Sequence, residues 1–121
     1  PNPVYDALKY DIVMNNSAEI IPHILDNKVR ILFYNGQLDG SICNNYGNQQ
    51  CLNQLNYNGE WITLNRYSYK LNGINAGYVK QSSDKLLTYF VVSDSGHLVP
   101  YDQPYSSLMM IKNYVDDQPW F

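Results

Sequence analysis

Asp39 and His97 are the residue types that manage a proton in nucleophilic hydrolysis, and each stands in the same kind of place. The apolar run Val29–Tyr34 gives way to Asn35-Gly36 and then Asp39; the run Leu86–Val92 gives way to Ser93-Asp94-Ser95-Gly96 and then His97. An aspartate that accepts a hydrogen bond from one imidazole nitrogen fixes the tautomer and stabilises the imidazolium. The other nitrogen is then left to take a proton from a nucleophile. Singly, an Asp in a glycine-containing loop is an ordinary turn or cap residue, and a lone His is ordinarily structural. As a pair on two strand ends, in the order Asp then His, they match the last two members of a Ser-Asp-His triad. His23 has no such loop context and is assigned to surface or packing.

The first member of that triad is missing. A nucleophile elbow needs a Gly-x-Ser-x-Gly type of turn between a strand and a helix, where small flanking residues relieve the strain. None of the serines has this setting; Ser93-Asp94-Ser95-Gly96 comes nearest but lacks the first small residue and a helix that follows at once. Cys43, four residues beyond Asp39, is an alternative nucleophile only with an imidazole beside it. An Asp and a His without a nucleophile cannot transfer an acyl group.

The elements that must position the pair follow from pattern. Val29–Tyr34 and Leu86–Val92 are rich in β-branched and aromatic residues and apolar on both faces, as expected of central strands covered by helices on each side. A short helix is predicted near Ser17–Asp26, with Ser17 as candidate N-cap and Pro22 near its first turn. A second helix is predicted over Ile42–Asn56, with Gly47 as its weak point, and a third after Pro104 from Leu108, Met109, Ile111, Tyr114 and Val115 at helical spacing. Trp61–Leu71 and Tyr78–Gln81 are predicted as two antiparallel strands separated by a break at Gly73–Gly77. Strand, loop and helix in alternation indicate an α/β fold, a mixed sheet flanked by helices. In such sheets reactive groups gather beyond the carboxyl ends of the strands, where Asp39 and His97 stand.

Composition narrows the function. The chain has 121 residues, 45% of them hydrophobic and 16% charged, with 8 Lys+Arg against 11 Asp+Glu and a net charge of −3. That is one domain at most, with hydrophobic mass enough for a core. The scattered cations give no footprint for nucleic acid, and no apolar stretch approaches the roughly 20 residues of a membrane span. The two cysteines, Cys43 and Cys51, lie too far apart on the predicted helix to pair with each other. His23 and His97 have neither the spacing nor the carboxylate companions of a metal site, and no glycine-rich phosphate loop is present, so neither a metal nor another cofactor is expected. Asn15-Asn16-Ser17 fits the glycosylation triplet, a weak signal in a chain this rich in Asn. The opening Pro1-Asn2-Pro3-Val4-Tyr5 has no basic and apolar leader. Either the chain is cytosolic or this is not its natural beginning.

Two long stretches carry a family resemblance. Tyr34-Asn35-Gly36-Gln37-Leu38-Asp39, with Ile42-Cys43-Asn44 and Gly47-Asn48, resembles the catalytic-Asp segment of serine carboxypeptidases. Gly96-His97-Leu98-Val99-Pro100-Tyr101-Asp102-Gln103-Pro104 resembles their catalytic-His segment, and Gly77-Tyr78-Val79-Lys80 is similar to a strand these enzymes carry between the two. The flavour is nearest the vitellogenic-like and plant branches. The resemblance implies an α/β-hydrolase that removes the C-terminal residue of peptides in lysosomal, vacuolar or secreted settings. It implies that Asp39 orients the imidazole and that His97 acts as general base and then general acid. Ile42 and Cys43 match positions lining the pocket for the penultimate side chain, and Leu98 matches one bordering the pocket for the leaving residue. Cys43 would be a free thiol beside the site, open to mercurials; Cys51 has no place in the motif.

Members of that family are several hundred residues long, and the segments supplying the serine, the oxyanion hole and the grip on the substrate carboxylate precede the part seen here. Residues 1–121 therefore resemble a single partial domain, the C-terminal segment of an α/β-hydrolase, either a natural light chain or a fragment. Its expected partners are an N-terminal chain of the same precursor that carries the nucleophilic serine, and peptide substrates. Strands apolar on both faces and left uncovered would make the piece sticky or self-associating. A carboxypeptidase-like binding or structural module without turnover is the alternative that the residues leave open.

Overall fold

The computed structural model describes residues 3, 4, 6, 7, 17–40 and 43–120. At its centre lies β4 (Leu87–Val92), buried at every position. That burial follows from its sequence: Leu, Thr, Tyr, Phe and two Val fill both faces of one strand, so it must lie between neighbours and between layers. It pairs in parallel with β1 (Ile31–Gly36), Ile31 opposite Leu87 and Gly36 opposite Val92. On its other side it pairs antiparallel with β3 (Ile74–Gln81), which in turn pairs with β2 (Tyr67–Leu71). The sheet order is β1-β4-β3-β2.

Alternation along β4 divides the core. Leu87, Tyr89 and Val91 pack with Ile21 and Leu25 of α1 (Ile20–Asp26), Leu52 of α2 (Asn45–Leu55) and Trp61. Phe90 and Val92 pack on the opposite face with Tyr69, Val79, Met110 of α4 (Pro104–Val115) and Trp120, and Val99 of the short α3 (Val99–Asp102) joins them. Phe90 stands edge-on to Tyr69 with ring centroids 5.1 Å apart and tilts against Trp120 at 5.6 Å. Such arrangements suit the charge distribution of aromatic rings. The Tyr89 hydroxyl reaches across the layers and donates to the Asn45 carbonyl at 2.7 Å, tying the start of α2 to the central strand. Burial pushes the Tyr89 phenol up to about 12, and the nearby Arg66 offsets this in part. Lys80, 5% exposed, holds its ammonium 5.0 Å from the centre of the Trp61 ring, and burial lowers its pKa, with the charge of Arg66 acting in the same direction.

Several predicted elements shift. β1 begins at Ile31 rather than Val29 and, among the described residues, is an edge strand: Ile31, Leu32 and Phe33 are only half-buried and Tyr34 is exposed. The hairpin is longer than predicted. Trp61 lies in a 3-10 turn (Trp61–Thr63) rather than a strand, and β3 runs through Ile74–Gly77 without a break. The true turn is Asn72-Gly73, both in the left-handed region with φ of 52° and 82°, the pair that a tight two-residue hairpin loop favours. α2 starts at Asn45, with the Asn44 side chain accepting the Gly47 N–H at 2.7 Å, and ends where Asn56 turns left-handed at φ 40°. The first helix is a 3-10 turn (Ser17–Glu19) leading into α1, whose N-cap position is Glu19 rather than Ser17. Asn15 lies outside the described residues.

Candidate active site

Because β1 and β4 run parallel and in register, their carboxyl ends open on the same edge of the sheet. Both chains turn there, and backbone bonds stitch the turns together. Gln37 N–H donates to the Val92 carbonyl at 2.9 Å, and Leu38 N–H donates to the Ser95 carbonyl at 2.8 Å. Asp94 takes the left-handed conformation at φ 53°, and the buried Ser95 donates its hydroxyl to Val92 O at 3.1 Å. The approach is close enough to require glycine at position 36. A Cβ there would stand 2.1 Å from Gly96 O and 2.4 Å from Ser95 O.

This junction brings Asp39 and His97 together, 58 residues apart in sequence, with Nδ1 of His97 2.8 Å from Oδ2 of Asp39. The carboxylate side chain is 3% exposed and the imidazole 52% exposed. A buried carboxylate that accepts the Nδ1–H leaves Nε2 as the basic nitrogen of the neutral ring, and it stabilises the ring once it is protonated. The buried partner is fixed and the exposed one is accessible, the division a proton-transfer pair requires.

Beside the pair is an open cleft of about 230 Å³, lined in part by Asn35, Asp39, Cys43, Asn48 and His97. Cys43 is exposed, and both cysteines are free thiols. Ile42 lies outside the described residues. Leu98 is 63% exposed, next to His97 but not part of the cleft's wall. Asn35, buried at the end of β1, donates its amide to the Cys43 carbonyl at 2.8 Å and accepts from the Asn48 amide at 3.0 Å. This pair joins β1, the Cys43 turn and α2 into one wall. Nothing in the spacing of the sequence marks these two asparagines, although an amide side chain closing an apolar strand run is a signal that it must find polar partners.

The layered mixed sheet, with a parallel pair of strands whose ends carry Asp39 and His97, is the architecture of the α/β-hydrolase fold. The profile of the family described as Serine carboxypeptidase (Peptidase_S10) matches residues 2–117, and the chain belongs to that family. It is 36% identical over 99 residues to the pheromone-processing carboxypeptidase KEX1 of Yarrowia lipolytica, covering 79% of this chain and 16% of that protein. It is 34% identical over 114 residues to serine carboxypeptidase-like 47 of Arabidopsis thaliana, covering 93% of this chain and 22% of that one. The fold superposes on the crystal structure of Kex1(delta)p, a prohormone-processing carboxypeptidase from Saccharomyces cerevisiae. The TM-score is 0.71 at 25% identity, over 84% of this chain and 22% of that one. The chain thus spans about a fifth of the length of the relatives it matches.

Proposed function

We propose that this chain supplies the Asp and His of a Ser-Asp-His triad in a serine-type carboxypeptidase, and that the nucleophilic serine lies in a part of the same protein N-terminal to this sequence. The observation that carries the reading is the 2.8 Å bond between a buried Asp39 and an accessible His97 at paired strand ends.

In this mechanism Nε2 of His97 takes the serine hydroxyl proton as Oγ attacks the scissile carbonyl, and Asp39 stabilises the imidazolium that forms. The imidazolium then gives that proton to the departing amine, which leaves as the released C-terminal residue. Water repeats the sequence on the acyl-enzyme, with His97 as base and then acid. Cys43, on the cleft wall, borders the penultimate side chain of the substrate, and the exposed Leu98 borders the leaving residue. The setting is the lysosomal, vacuolar or secreted arm of the secretory pathway.

The same reading accounts for the outer side of β1. Its edge, unpaired among the described residues, and its half-buried face take a neighbouring strand and helices from the N-terminal part, completing the sheet. Exposed Tyr34, at 42%, lies on that strand. The test is to incubate the full-length protein with N-terminally blocked peptides and follow the products by mass spectrometry. Loss of single residues from the C-terminus is expected; cleavage only at internal bonds, or none, refutes the assignment.

A further inference from the structure

We infer that Asp102 is a positioning residue for His97, an inference that rests on the catalytic reading above. The loop carrying His97 is gripped from two sides at Gly96. On one side its carbonyl abuts Gly36, where there is no room for a Cβ. On the other, Oδ2 of Asp102 accepts the Gly96 N–H at 2.7 Å. A bond from a backbone N–H to a carboxylate is charge-assisted and roughly twice as strong as a neutral one. Next in sequence, the Gln103 amide donates to the Asp94 carbonyl at 3.1 Å, so the same short segment holds the loop at two points.

The carboxylate is exposed, and the backbone that carries it is well anchored. Asp102 closes α3, its N–H donating to Leu98 O at 3.0 Å, while Gln103 N–H donates to Val99 O at 2.9 Å. Val99 is 2% exposed in the core, and Ser107 of α4 donates its hydroxyl to Gln103 O at 2.8 Å. Gly96 suits this contact as well, because a Cβ there would come within 3.3 Å of Oδ2. The residue preceding His97 is therefore fixed through Asp102 to a rigid floor, while the imidazole, half in solvent, has to keep a 2.8 Å bond to Asp39. Removing the carboxylate releases the loop on the side away from Gly36 without touching Asp39, His97 or the cleft.

The test uses the full-length enzyme. Asp102→Ala is expected to lower kcat by about 10- to 100-fold, the effect of a displacement near 1 Å, with KM within about twofold of wild type. Asp102→Asn, which keeps an oxygen acceptor without the charge, recovers most of that loss. Asp102→Glu displaces the carboxylate by one methylene and serves where the alanine variant fails to fold; it too is expected to lose roughly tenfold in kcat. An unchanged kcat, a loss confined to KM, or a loss that merely follows the unfolded fraction overturns the inference. A wild-type protein without carboxypeptidase activity overturns the catalytic reading instead, and hydrogen exchange of the 93–98 segment then decides the clamp. Exchange of the Gly96 N–H at least about tenfold faster in Asp102→Ala than in wild type supports local release of this loop; equal exchange refutes it.

Discussion

Replacing Gly36 by alanine adds one methyl group at the place where the two strand ends meet. It would stand 2.1 Å from Gly96 O, 2.4 Å from Ser95 O and 2.8 Å from Gly96 C, all backbone atoms that no rotamer change can move aside. The loops after β1 and β4 must separate by about 1 Å to restore ordinary contact distances. The Leu38–Ser95 backbone bond that stitches them breaks or lengthens, and the 2.8 Å Asp39–His97 bond stretches beyond useful hydrogen-bond length. Overpacking of this kind costs roughly 1–3 kcal/mol of stability, and a 1 Å displacement of a catalytic group costs about 10²-fold in rate. The assay is kcat and kcat/KM of the full-length protein on an N-blocked dipeptide, with folding followed by thermal denaturation. Gly40→Ala is the matched control, because among the described residues a Cβ at position 40 meets nothing within 4 Å. A folded Gly36→Ala variant with wild-type kcat, or equal losses in both variants, would refute the reasoning that this close approach sets the catalytic distance.

Other expectations follow from the same coordinates. His97→Ala is expected to reduce kcat by about 10⁶-fold and Asp39→Asn by about 10⁴-fold, both with substrate binding nearly intact; stopped-flow or single-turnover kinetics at wild-type rates for either would contradict its role. Phe90→Ala removes a ring 1% exposed and packed against Tyr69 and Trp120, at a cost of about 3–5 kcal/mol, measurable as a lowered urea midpoint. Burial alone would raise the pKa of Asp84, but hydrogen bonds from Ser82, Leu86 N–H, Tyr57 and Asn58 outweigh it and bring the carboxyl down to about 2. A depressed carboxyl stabilises the fold fully above its ordinary value of 3.8 and loses that contribution as pH falls through about 2. The stability gap between wild type and Asp84→Asn should therefore narrow from pH 5 to pH 2, and a gap constant over that range would contradict the assignment.

The sequence was most legible where periodicity and chemistry coincided. Leu86–Val92 reads as a fully buried strand because both faces are apolar, and β4 is central. Asp39 and His97 read as a pair because each follows such a run, and parallel pairing of the runs brings them within 2.8 Å. Val29–Tyr34 is likewise apolar on both faces: that apolarity indicates what must cover it, and among the described residues nothing pairs with its outer edge. The hairpin limits are hard to read because loose alternation around Trp61 and Tyr67 extends beyond the strand, while the local signal that sets the turn is Asn72-Gly73. Asn35 and Asp102 act through contacts to backbone groups eight and six residues away, and Asn48 through the Asn35 side chain 13 residues away. Such contacts leave no period in the sequence and emerge only when the loops are packed.

Asp39 and His97 are proposed to activate a serine outside these 121 residues. Labelling the full-length protein with a fluorophosphonate, and mapping the adduct by mass spectrometry in wild type and His97→Ala, tests it most directly. One modified serine N-terminal to this segment is expected in wild type and almost none in the variant. No adduct in the active protein, or labelling of the same serine at an undiminished rate without His97, would contradict it.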